Sequence, residues 1–310
     1  MLRKTMQDVT QRAKQSQALK QIPASYEILS ATPKLCNPYI LWVADVSQNK
    51  PKPVETKLKA FRDPFAKENL EQDLFVTQLH GTHNLILNKF SVVDEHVVLS
   101  TIEYVPQEQS LDIADFRAMW TAMQGLDAFA FFNCGFESGA SQSHKHMQLM
   151  TYSSIQKITG LHMPPMLHFI DQKLGGYPTT EIVQLPELPF CHFLHRIDLV
   201  DGIDSDKIAA NIVVIYDKIL NQMNSTKYSK ISAQVGTSPT SLHVAYNLLL
   251  TSSFLFVIPR RAQNFKGIEV NSIGFIGSFF VRDSEQRALF DTHGGPMELL
   301  REVTFLPTLA

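Results

Sequence analysis

The chain has 310 residues, 44% of them apolar, with 28 basic against 30 acidic side chains. A chain of this kind buries a large core as one or two domains, and its net charge of −2 offers no chain-wide field for nucleic acid. Cys36, Cys134 and Cys191 are widely spaced with no CxxC pair, which argues against a disulfide framework or a cysteine-rich zinc site and suits a reducing, cytoplasmic setting. The longest apolar runs, such as Asn247 to Pro259, are too broken to span a membrane.

Met1 to Ile22 carries Arg3, Lys4, Arg12, Lys14 and Lys20 against a single acid, Asp8. Transit peptides share that texture, but Met6, Val9 and Ala13 fall on one helical face. The segment also runs on without a break into Tyr26-Glu27-Ile28-Leu29, so an N-terminal helical segment is expected over 1–30. Pro51 and Pro53 remove donors and restrict their neighbours, which makes 47–53 a loop, with Arg62-Asp63-Pro64-Phe65 closing the same region. Leu85 to Leu87 and His96 to Thr101 read as adjacent antiparallel strands. Phe116, Met119, Trp120 and Met123 recur at helical spacing behind Ser110 or Asp112 as cap. Ala128 to Phe132 is a continuous apolar run of the kind a buried strand shows.

Residues 152–202 are rich in Pro and Gly and read as an irregular surface excursion, whose His162, His168, His192 and His195 match no metal spacing. Ile208, Ile212, Ile215 and Ile219 trace one face of a helix. Tyr246 to Pro259 and Asn271 to Val281 supply three further β runs, so 203–310 loosely repeats the texture of 31–151.

Between the apolar run of the first half and its following strand lies Asn133-Cys134-Gly135-Phe136-Glu137-Ser138-Gly139-Ala140-Ser141-Gln142-Ser143-His144-Lys145-His146-Met147-Gln148. If His144 to Thr151 is a strand, His144, His146 and Gln148 share one face, while Lys145, Met147 and Leu149 share the other. The preceding Gly- and Ser-rich loop can turn tightly and present N–H groups to an anion. Taken alone, the histidine pair fits a metal half-site or two hydrogen-bonded core histidines as well as a nucleophile acting on a phosphate.

The whole segment in register resembles the active-site motif of the histidine-triad superfamily in its transferase branch, to which galactose-1-phosphate uridylyltransferase belongs. It is most similar to the diadenosine tetraphosphate phosphorylases, or ATP adenylyltransferases. The likeness extends to His83-Asn84-Leu85-Ile86-Leu87-Asn88-Lys89-Phe90, to Tyr246-Asn247-Leu248-Leu249, to Phe256 through Arg260 and to Asn271 through Phe275, roughly residues 30 to 305 in all. It implies an α+β fold: a histidine-triad-like antiparallel sheet flanked by helices, in two pseudo-repeated halves, of which the first carries the chemistry.

It further implies that His146 is the nucleophile, with the His144 carbonyl holding its Nδ1–H. Gln148, where hydrolytic members carry a third histidine, cannot titrate and favours transfer over hydrolysis. Ser141, Ser143 and the N–H groups around Gly139 and Ala140 would hold phosphoryl oxygens, and Asn133 would hold the turn or touch the nucleotide. Lys50 or Lys52 would meet the polyphosphate, and Asn88 and Asn247 the ribose or base. The implied substrates are a dinucleoside polyphosphate, ATP, ADP and inorganic phosphate. No metal centre or tightly bound cofactor is called for, magnesium acting as a stimulant that shields polyphosphate charge. Hexose-1-phosphate uridylyl transfer, adenosine phosphosulfate phosphorolysis, and nucleotide or metal binding without turnover are the alternatives.

Overall fold

The computed structural model describes residues 1–22, 24–30, 38–44, 62–198, 204–225 and 244–307. Helix α1 (Leu2–Gln15) is followed by strands β1 (Ala24–Leu29), β2 (Tyr39–Ala44), β3 (Phe75–Leu79), β4 (His83–Leu87) and β5 (His96–Thr101). Then come α2 (Ile113–Leu126), β6 (Ala128–Cys134), β7 (His146–Thr151), α3 (Tyr152–Thr159), α4 (Pro165–Leu174), β8 (Phe193–Arg196) and α5 (Ser205–Ser225). The chain closes with β9 (Tyr246–Leu250), β10 (Phe254–Pro259), the two-residue strands β11 (Asn264–Phe265) and β12 (Ile268–Glu269), β13 (Ser278–Val281), α6 (Ser284–Thr292) and α7 (Pro296–Glu302).

Eight strands form one antiparallel sheet in the order β3-β4-β5-β7-β6-β9-β10-β8. The order contains a repeat. Strand, helix, strand, strand occurs as β5-α2-β6-β7 and again as β8-α5-β9-β10, and the two units meet where β6 pairs with β9, Asn133 opposite Asn247. The two-half architecture is therefore a property of the topology, although β8 starts ahead of residue 203.

Both faces of the sheet are covered, which is why β6 reads as an unbroken apolar run. Ala130, Phe132 and Cys134 face the core under α1, α2 and α5, while Phe129 and Phe131 face the second core with α4 and β13. Along β7 the alternation sends Met147 and Leu149 to the helix side and leaves His146, Gln148 and Met150 on the other. Lys145 also points to the helix side. It is buried and donates to Asp115 in the first turn of α2 at 2.9 Å and to the Ser110 carbonyl at 2.9 Å. Asp112 is the cap of α2, in a reciprocal capping box with Asp115.

Three sequence expectations need correction. The N-terminal helix ends at Gln15, and Ala24–Leu29 is an edge strand on β2, with Tyr26 and Ile28 exposed. Residues 152–198 are not irregular but contribute α3, α4 and β8, and His192 is a fully buried ring whose Nε2 accepts from the Leu185 N–H. The run from Asn271 divides into a 3-10 turn, Ser272–Ile276, and the short strand β13, because the Asn271 side chain caps the turn at the Ile273 N–H.

Candidate active site

Strand β7 begins at His146, two residues later than the motif suggests, but His144 stays extended through an isolated bridge to Pro106, so the alternation holds. The Nδ1 of His146 donates to the His144 carbonyl at 2.9 Å. Its other nitrogen, Nε2, is left as the lone-pair face in the wall of a cavity of about 520 Å³. Gln107 fixes the backbone beneath it. The amide oxygen of Gln107 accepts from the His146 N–H at 2.7 Å, and its nitrogen donates to the carbonyls of His146 at 3.1 Å and Asn133 at 2.8 Å.

Burial, opposed by the bond to the His144 carbonyl, pushes the pKa of His146 down to about 4, so the ring is neutral and nucleophilic throughout the physiological range. His192 is likewise pushed by burial to about 4. In the unfolded chain both rings titrate near 6.5. As pH falls the unfolded chain takes up protons first, so stability is complete above about pH 6.5 and is lost as pH drops toward about 4, by about 3 kcal/mol for each ring. The urea midpoint is therefore expected to decline steadily from about pH 7 to about pH 5; a flat midpoint would contradict the burial of these rings as neutral groups.

Gln148 lies one step along the same face and lines the cavity. Its amide oxygen accepts from His96 Nε2 at 2.9 Å, and the amide nitrogen of Asn88 lies 3.2 Å from His96 Nδ1. His96, which burial pushes down to about 4, is a neutral donor to Gln148. With its oxygen so engaged, the Gln148 amide keeps its N–H groups as donors, with no partner among the described residues. Asn88 lines the cavity too, but its nitrogen serves His96 and its oxygen accepts from the Phe90 N–H at 3.2 Å. It orients the His96–Gln148 pair.

His144 does not line the cavity. Its Nδ1 faces Asp63 Oδ2 at 2.7 Å and its Nε2 faces Thr101 Oγ1 at 2.9 Å. It is a positioning residue for His146.

The loop between β6 and β7 is held by a buried polar knot. Asn133 Oδ1 accepts from Asn247 Nδ2 at 2.8 Å, from the Ser272 N–H at 3.0 Å and from Ser272 Oγ at 2.7 Å. Asn247 also donates to the Ser138 carbonyl at 2.9 Å and accepts from the buried Arg260 guanidinium. Asn133 and Asn247 are 3% and 0% exposed with these bonds made: Asn133 holds the turn, one of its two expected roles, and Asn247 is spent on the same turn rather than open to ribose or base.

Gly139 carries the close approach. Its φ is +83°, and a Cβ there would meet Asn271 Cβ at 2.9 Å and the Val270 carbonyl oxygen at 3.0 Å. Its N–H is spent on the Phe136 carbonyl at 3.0 Å, so the anion-facing donors are not its own. The N–H groups of Ala140, Ser141 and Gln142 follow it with no partner among the described residues, and Ser141 and Gln142 line the cavity. Ser143 is exposed and absent from the cavity wall; its carbonyl accepts from the Gln107 N–H at 2.8 Å. Lys50 and Lys52 lie outside the described residues.

No motif or spacing singled out Asp63, Phe65, His96 or Gln107 for the site. They come from loops and a neighbouring strand, and only the β5–β7 register, with Val98 opposite Gln148 and Ser100 opposite His146, brings His96 within reach of the motif.

A neutral imidazole tethered at Nδ1, an amide donor one step along the strand and a loop of free N–H groups on one cavity define a nucleotidyltransferase of the histidine-triad type. The profile of the Ap4A phosphorylase N-terminal domain matches residues 1–169, and that of the ATP adenylyltransferase C-terminal domain matches residues 186–306. The chain belongs to the Ap4A phosphorylase family. Diadenosine 5',5'''-P1,P4-tetraphosphate phosphorylase 2 of Saccharomyces cerevisiae is 30% identical over 249 residues, 72% of this chain and 70% of that protein. Protein APA1 of the same yeast is 27% identical over 275 residues, 82% and 78% of the two chains. The crystal structure of yeast Ap4A phosphorylase Apa2 in complex with Ap4A is similar throughout, with a TM-score of 0.76 at 26% identity, covering 99% of this chain and 98% of that one.

Proposed function

We propose that this chain catalyses reversible phosphorolysis of diadenosine tetraphosphate by a double displacement on His146. Nε2 attacks an α-phosphorus, the bond to the bridging oxygen breaks, and ATP leaves with that electron pair. An oxygen of inorganic phosphate then attacks the adenylyl-histidine, the P–N bond breaks with its pair returning to Nε2, and ADP is released. The observation that carries this reading is the tether of His146 Nδ1 to the His144 carbonyl, which aims the free nitrogen into the cavity. Ser141, the N–H groups of Ala140 to Gln142 and the Gln148 amide supply donors for charge developing on the phosphoryl oxygens.

Lys50 or Lys52 adds positive charge for the phosphate chain, and magnesium enters with the polyphosphate as part of the substrate. The first half of the chain, 31–151, carries the chemistry; the second, 203–310, contributes cavity wall through Gln263 and Asn271. The partners are nucleotides and phosphate, without nucleic acid or membrane. No helix among the described residues is long and apolar enough to cross a membrane. The buried thiol of Cys134 suits a cytoplasmic, reducing setting.

The test is product analysis of diadenosine tetraphosphate with phosphate varied from zero to saturation. ATP plus ADP is expected only with phosphate, with little AMP without it; AMP at full rate without phosphate would replace the phosphorylase with a hydrolase. Gln148→Ala is expected to lose about 10²–10³ in rate without gaining hydrolysis. Gln148→His, which restores a titratable group, is expected to raise the ratio of AMP to ADP.

A further inference from the structure

We infer that the turn Asp63-Pro64-Phe65 is a water shield latched to the nucleophile, which keeps the adenylyl-histidine intact until phosphate arrives. The inference rests on the double displacement proposed above and concerns what protects its intermediate.

One carboxylate builds the latch. Asp63 Oδ2 takes His144 Nδ1 at 2.7 Å, and Oδ1 accepts from the Phe65 N–H at 2.9 Å. The same side chain therefore fixes the ring whose carbonyl aims His146 and the backbone that carries Phe65. The turn is knit further by Asn69, which donates to the Asp63 carbonyl at 2.8 Å and accepts from the Arg62 guanidinium. On the other side His144 is tied to Thr101 on β5, so the latch closes onto the sheet.

Phe65 is the result of that construction. It sits in an irregular segment, yet it is only 7% exposed and packs on Ile86 and Val98 of β4 and β5. Its ring centre is 5.2 Å from that of His146, tilted by 43°, and 5.7 Å from that of His144, edge on. It lines the cavity beside His146 and Gln148. An aromatic ring at that distance offers a water molecule no hydrogen-bond partner from which to attack. Phosphate, by contrast, finds the donors of Ala140 to Gln142. Hydrolysis and phosphorolysis break the same P–N bond, one with a water oxygen that sheds a proton and gives AMP, the other with a phosphate oxygen that gives ADP. Gln148 withholds a general base for the first path, and Phe65 withholds the hydrogen-bond partner that would hold a water for attack.

The experiment isolates the adenylylated full-length protein, made from diadenosine tetraphosphate without phosphate, and follows AMP release and the mass of the protein with time. Wild type is expected to hold the adenylyl group and to yield ADP when phosphate is added. Phe65→Ala is expected to release AMP about tenfold faster, a barrier lower by about 1.4 kcal/mol, with Phe65→Leu close to wild type. Asp63→Ala, which removes both bonds, is expected to move in the direction of Phe65→Ala. A merely structural role would lower adenylylation and both release rates together without changing the AMP to ADP ratio. Unchanged AMP release from adenylylated Phe65→Ala overturns the shield. If that variant fails to fold, Asp63→Ala decides: AMP release equal to wild type overturns the inference. Wild type that never becomes adenylylated defeats the double displacement itself, a separate outcome.

Discussion

Replacing His146 with alanine is expected to lower turnover of diadenosine tetraphosphate by about 10⁴–10⁶-fold, the range seen when an enzyme loses its covalent nucleophile. The ring donates at Nδ1 to a carbonyl and offers Nε2 to the cavity, while its backbone is clamped by Gln107. The substitution leaves that clamp intact, because the Gln107 amide grips only main-chain atoms of residue 146, so nucleotide binding and the fold survive while the reactive atom is gone. Neither Gln148 nor His96 can substitute for it: the first is an amide, and the second has its Nε2 on Gln148. Steady-state ATP release with saturating phosphate checks this, and a loss of less than about tenfold would remove His146 from the covalent step.

Asp115→Asn is expected to cost about 3–5 kcal/mol of stability, the penalty of leaving a buried charge without its partner. The carboxylate takes His83 Nε2 at 2.9 Å on one oxygen, and Lys145 Nζ at 2.9 Å and the Asp112 N–H at 2.8 Å on the other. Asp115 and Lys145 side chains are each only 2% exposed. Burial pushes the carboxyl upward, but His83 and Lys145 outweigh it and hold it below the usual value. An amide keeps one acceptor oxygen for Lys145 and the Asp112 N–H but carries no negative charge, so the buried Lys145 ammonium is left with neutral acceptors only, that oxygen and the Ser110 carbonyl. Against a typical stability of about 5–15 kcal/mol, such a loss is large. Because Lys145 sits between His144 and His146, turnover is expected to fall with stability. Urea unfolding measures the first effect, and a cost below about 1 kcal/mol would mean that the ion pair contributes no more than an exposed one.

Legibility in the sequence followed locality. The alternation His144, His146, Gln148 and its counterpart Lys145, Met147, Leu149 is a period of two within one segment, and the sheet reproduced it. The isoleucine face of α5 and the apolar run of β6 are equally local signals and lie where the pattern put them, and the cap of α2 is Asp112, one of its two candidates. The misreadings of 152–198 came from treating proline and glycine as breakers. Pro165 opens α4 at its first turn, where its missing N–H costs nothing, and Gly160 ends α3 in a left-handed conformation. Ala24–Leu29 was obscured because an edge strand with exposed Tyr26 and Ile28 lacks a clean alternation. In the site, His146 and Gln148 were visible in the motif as neighbours on one strand face, whereas Asn133 and Asn247 meet only across the β6–β9 pairing. Asp63, Phe65, His96 and Gln107 act through tertiary contacts that no spacing announces.

The double displacement at His146 is tested most directly by the stereochemistry at phosphorus. A diadenosine tetraphosphate made chiral at both α-phosphorus atoms, turned over with phosphate, passes through two in-line displacements in this account. The ADP recovered is therefore expected to retain the configuration of the substrate. Inversion would mean that phosphate attacks the dinucleotide directly, with no adenylyl-histidine on the path.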